Sequence, residues 1–228
     1  MPPPLEHYSH RNARLMTDVS QPTKPRARRG ARRREDGVES NARLTASVAV
    51  VLFVVLAAEG VTILRIRPLL TPHVFIGMLL VPPVLLKVGS TTWRFVRYYL
   101  GSPEYRRKGP PPMVLRLLGP VLVVLTLTVF ASGIALLLAP TAWRSNLLLL
   151  HKASFIIWIA AMVVHVLGHI LDTARLAPRD WIPRTRRQVK GAGLRQWTIA
   201  LSLAFGLVLA VITVPEVGRW LTAGVHGA

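Results

Sequence analysis

The sequence predicts an all-α integral membrane protein, a helical bundle of five transmembrane helices behind a disordered basic tail, on three observations. Apolar runs of about 20 residues, long enough to cross a hydrocarbon core of roughly 30 Å, recur along the chain. Arg-rich segments separate them, so that 228 residues that are 51% hydrophobic still carry 29 Lys+Arg against 10 Asp+Glu, a net charge of +19. A mean hydropathy of +0.41 beside that charge does not fit one soluble core, because apolar and basic side chains must sort into different solvents.

Residues 1 to 43 are polar, with Pro2, Pro3, Pro4, Pro22 and Pro25 and the run Arg26, Arg28, Arg29, Arg32, Arg33 and Arg34. Such a segment buries too little apolar surface to order itself and reads as a disordered cytoplasmic tail. It does not read as a secretory signal, since its charged region is far too long and no A-x-A-like site follows the first apolar run. Five spans follow, at about 44–65, 72–96, 113–138, 147–172 and 197–214, forming a membrane domain over 44–214 with a short C-terminus over 215–228. Pro82 and Pro83 interrupt the second.

Lys and Arg number 10 in the tail, 6 between Arg94 and Arg116 and 7 between Arg175 and Arg195. The opposite side holds only Arg65, Arg67, Arg144, Lys152 and Arg219, while Lys87 lies within a span. Positive loops stay inside, which predicts a multi-pass cell-membrane protein with a cytoplasmic N-terminus and an extracytoplasmic C-terminus. The charge is thereby assigned to topology and to contact with anionic membrane lipid rather than to nucleic acid. Spans two and four then run in the same direction, so equal offsets from their starts mean equal depth.

There is no cysteine, which excludes disulfides, thiolate zinc sites, Cys-ligated iron–sulfur clusters and covalently attached c-type haem. No P-loop, G-x-G-x-x-G or G-x-S-x-G is present, and cytoplasmic loops of about 16 and 24 residues are too short for a catalytic domain. Any metal must rely on His, carboxylate or backbone.

His7, His10 and His226 are terminal, whereas His73 begins span two and His151, His165 and His169 lie on span four. Polar side chains within a membrane are costly and usually face the bundle interior. His151 and His165 are 14 residues apart, about 21 Å along a helix and within roughly 40° of one face, with Trp158 and Met162 between them. The position 14 beyond His73 is Lys87. Gly77 lies one turn below His73, Gly119 and Gly133 on span three are again 14 apart, and span one has Ala46 and Gly60 at that interval. Glycine lets a backbone approach a flat ligand closely. His165 and His169 have the i, i+4 spacing of a zinc helix, but Val166 stands where a metalloprotease needs Glu. Glu59 lies near the depth of His73, as a proton acceptor or a partner for Arg65, and Asp172 is placed to pair with loop arginines.

In this pattern, residues 44–172 resemble the b-type membrane cytochromes, the group that includes cytochrome b561-like proteins and the haem bundle of quinol-oxidising cytochromes b. In that group two parallel helices carry His pairs about 14 apart, each haem iron takes one His from each helix, and small residues on neighbouring helices make room for the porphyrin. The resemblance implies a four-helix haem-binding bundle within the five spans, with His73 and His151 as axial metal ligands of one haem b. Gly77, Gly119 and Gly133 would flank the cofactor sites. It further implies electron transport between quinol or quinone and a redox partner protein, as the membrane subunit of an oxidoreductase rather than a stand-alone enzyme. An outer haem would favour an extracytoplasmic partner, with Arg65, Arg67, Arg144 and Lys152 on the propionate side. The sequence departs from the family at Lys87, which stands where a second imidazole would complete an inner haem with His165 or His169. The alternatives there are a second haem, or a polar cluster that binds a quinone head or relays protons. A haem-free transporter or assembly subunit, with these residues lining a proton or ion path, is the competing reading.

Overall fold

The computed structural model describes residues 25–107, 109, 113–182 and 191–225, and they are all-helical with no strand among them. Among the described residues there are seven α-helices: α1 Pro25–Leu64, α2 Leu70–Tyr99, α3 Pro103–Arg107, α4 Met113–Leu138, α5 Arg144–Leu176, α6 Pro178–Trp181 and α7 Ala192–Val225. Five segments are long and apolar enough to cross a membrane: Gly37–Leu64, Leu70–Tyr99, Met113–Leu138, Thr141–Leu176 and Ala192–Thr222. The protein is thus a helical, multi-pass membrane bundle. Phe53, Val124, Leu149 and Phe205 are among many exposed apolar side chains, which is the surface lipid covers.

The chain divides into two compact units, Met1–Val38 and Glu39–Ala228. The first holds the beginning of α1, and the second holds the rest of α1 and every later helix. Of the tail expected to be disordered, residues 1–24 lie outside the described residues, while 25–43 are helical. The physical reason is propagation. Pro25 suits a first helical turn, Ala and Arg are strong helix formers, and an established membrane helix extends without a new nucleus.

Two more boundaries move. The helix expected to end at 214 continues through Pro215 to Val225, because a proline removes one hydrogen bond without ending a helix that is otherwise packed. Arg144 braces this extension from the side, donating to the Trp220 carbonyl at 3.1 Å with its guanidinium 5.0 Å from the indole ring centre. Likewise α2 runs unbroken through Pro82 and Pro83.

Packing sorts the helices into two groups. α2 packs along α7 and α4 packs along α5, whereas α2 and α4 meet only briefly and α2 has no extended backbone packing with α5. The main core joins α1, α2 and α7 through Val48, Leu52, Leu80, Val84 and Ile199. Polar groups reinforce it: Lys87 Nζ donates to the Thr45 carbonyl at 2.8 Å, Asn41 donates to the Ser90 carbonyl at 3.1 Å, and Thr45 and Ser90 share a hydroxyl contact at 3.1 Å. At the α2–α7 crossing, Ser202, Gly206 and Ala210 form a small-residue row at i, i+4 and i+8. A Cβ at Gly206 would overlap the Leu79 carbonyl oxygen and come within 3.0 Å of its carbon. That carbonyl lacks its usual helical donor, since the residue four positions on is Pro83.

In the other group, Trp158 is buried and its indole N–H donates to Thr126 Oγ1 at 2.9 Å, while Leu115 packs directly over Gly168. Trp158→Phe, which removes the indole donor together with part of the buried ring, is expected to destabilise the protein by at least about 1 kcal/mol in a detergent unfolding titration.

Candidate functional site

His73 and His151 meet across the seam between the two helix groups, with ring centroids 6.4 Å apart and ring planes at 79°. Each ring is oriented by the transmembrane helix that precedes it. His73, on the first turn of α2, donates from Nδ1 to Glu59 Oε1 of α1 at 2.8 Å. Thr62 Oγ1 lies 3.0 Å from the same nitrogen and donates to the Glu59 carbonyl at 2.6 Å, tying carboxylate, hydroxyl and imidazole into one cluster. His151, on the second turn of α5, places Nδ1 3.1 Å from the Val129 carbonyl and 3.1 Å from Ser132 Oγ, both on α4. The Ser132 hydroxyl itself donates to the Val129 carbonyl at 3.0 Å.

Both imidazoles therefore commit Nδ1 to protein partners, which leaves Nε2 as the nitrogen each offers to a ligand. An orienting bond from the second ring nitrogen is the usual condition of a metal-bound histidine. Two imidazoles on opposite sides of one metal, each at about 2 Å from it, have ring centres roughly 6 Å apart. The observed pair matches that spacing. Among the described residues, no group of three or more His, Cys, Asp or Glu side chains is arranged to hold a metal ion, so the chain offers two side-chain nitrogens rather than a polydentate cage. Two opposed imidazole nitrogens suit a metal whose remaining ligands come from outside the chain.

The glycines play different parts from one another. A Cβ at Gly133 would stand 3.1 Å from His151 Cε1, so this glycine admits the imidazole itself. Gly77 lies against the Glu59 carboxylate, where a Cβ would come 3.6 Å from Oε1, and Gly119 has nothing within 4 Å of its would-be Cβ. Glu59 partners His73, not Arg65, because the carboxylate and the imidazole lie at one depth on facing helices. Arg144 is engaged with Trp220.

Fourteen residues along, the arrangement differs. His165 and His169 share one helix, with ring centroids 4.7 Å apart, and the Lys87 amine is bonded to the Thr45 carbonyl. Lys87 lies within electrostatic reach of both rings, and Asp172 and Arg94 within reach of His169. The Nδ1 of His165 is buried without a hydrogen-bond partner among the described residues. No pair of imidazoles spans the seam here as His73 and His151 do.

Residue reasoning from sequence missed Thr62, Ser132 and the Val129 carbonyl. A hydroxyl three residues after the lone acid of its span, and another beside Gly133, were the available signals. Comparisons with protein-family models, with curated proteins and with solved structures found no match to this chain.

Proposed function

We propose that the protein is a membrane haem b electron carrier, with His73 and His151 as the two axial ligands of one haem. The observation that carries this reading is the paired imidazoles, 6.4 Å apart between separately packed helix groups and each anchored through Nδ1. Haem iron held by two imidazoles exchanges single electrons and keeps no open position for oxygen. The chain supplies the rest: α1 and α4 fix the two rings, Gly133 gives His151 its place, and the surrounding apolar helices exclude water.

The Lys87 bond to α1 and the same-helix placement of His165 and His169 favour one haem rather than two, leaving that cluster as the place for a quinone head or a proton path. With the N-terminus cytoplasmic, as the distribution of Lys and Arg favours, the His73–His151 end lies toward the outer face. The chain would then pass electrons between quinol or quinone and an extracytoplasmic redox protein, as one subunit of an oxidoreductase.

The test is a pyridine haemochrome assay on detergent-purified protein expressed with haem supply, quantified per polypeptide. About one haem b per chain is expected. A folded, monodisperse and colourless protein overturns the reading in favour of a haem-free transporter or assembly subunit. Gly133→Ala is expected to retain haem but shift the reduced-minus-oxidised spectrum, because the new methyl crowds the His151 ring and tilts it.

A further inference from the structure

The two imidazoles are held by unlike partners. His73 Nδ1 donates to a carboxylate at 2.8 Å, and both side chains are largely shielded, at 21% and 13% relative exposure. His151 Nδ1 has only the neutral Val129 carbonyl and Ser132 hydroxyl. Thr62 ties the cluster to α1: its hydroxyl donates to the Glu59 carbonyl, lies 3.5 Å from Glu59 Oε2 and contacts His73 Nδ1 at 3.0 Å. In a low-dielectric bundle an anion acts strongly on charge a few ångströms away, since no water screens it. A carboxylate accepting from the far nitrogen of an axial imidazole raises that ligand's basicity. Both effects favour the more positive, ferric state of a metal on the other side of the ring.

We infer that Glu59 is a positioning residue that lowers the reduction potential of the iron between His73 and His151. This rests on the haem reading above. Glu59 acts through His73 and touches no metal itself, and the asymmetry between the two rings is what makes it the residue that sets the potential.

The experiment is redox titration of the purified holoprotein, followed optically, for wild type, Glu59→Gln and Glu59→Asp, with haem content measured on each. Loss of the charge in Glu59→Gln is expected to move the ferric–ferrous equilibrium at least tenfold toward reduction, about 59 mV upward for one electron. Glu59→Asp, which keeps the charge a methylene farther away, is expected to fall between the two. A haem-bound Glu59→Gln protein that shifts less than tenfold overturns the inference, as does one that shifts no more than Glu59→Asp. If Glu59→Gln retains no haem, Glu59→Asp decides: a potential above wild type supports the inference, and one equal or lower overturns it. Wild-type protein without haem would instead defeat the haem reading, so the two failures are distinct.

Discussion

Replacing His151 with alanine is expected to reduce haem content from about one per chain to none, and His73→Ala is expected to do the same. With one imidazole gone, the second ligand stands alone on a helix group that does not pack along the first, and among the described residues no other imidazole is paired with it across the seam. The contrast lies fourteen residues away. His165→Ala and Lys87→Met should leave the haem count unchanged, because that end places its two imidazoles on one helix and binds its amine to Thr45. The measurement is the haemochrome count together with size-exclusion behaviour, so that loss of cofactor is separated from loss of fold. Full haem retention in the His73 and His151 variants would remove the ligand assignment, and haem loss in Lys87→Met would restore the lysine to the ligand set.

The second large effect is expected at Gly206, far from the imidazoles in sequence. Gly206→Ala places a methyl into the Leu79 carbonyl, which is backbone and cannot rotate away, so α2 and α7 must separate along their length. Overpacking of this kind costs typically about 1–3 kcal/mol, here concentrated on the longest contact in the bundle. Gly218→Ala on the same helix is the control: nothing lies within 4 Å of its would-be Cβ, and an exposed helical Gly→Ala change should be neutral or stabilising by up to about 1 kcal/mol. Unfolding titrations of the two variants in detergent should differ in sign. Equal effects would mean that the Leu79–Gly206 approach does not limit the packing of α7.

Hydropathy made the five spans legible, because a bilayer demands length and apolarity from every crossing. The juxtaposition of His73 and His151 was legible as well, since both lie within a few residues of the starts of two helices that run in the same direction. Helix ends were not. The apolar runs end at 214 and begin at 44, yet a helix already packed or already nucleated runs past both limits. The partners of the imidazoles were hidden for a different reason. Glu59 stood equally near Arg65 and His73 in depth, and only the rotation of α1 against α2 decides between them. The part played by Gly206 was invisible because it depends on Pro83 of a helix more than a hundred residues earlier, whose missing N–H frees the carbonyl that the glycine meets.

The division of the bundle into two packing groups also bears on the order of assembly. The hairpin α4–α5 is continuous in sequence and can close as soon as it is made, with His151 already oriented. The group that bears His73 also needs α7, which packs on α2 although α4 and α5 lie between them in the sequence. On the haem reading, a cofactor held by both His73 and His151 would link the two packing groups as a rivet, and its binding energy would become part of the cohesion of the bundle. A ligand present at 100 times its dissociation constant adds about 2.7 kcal/mol to the closed form.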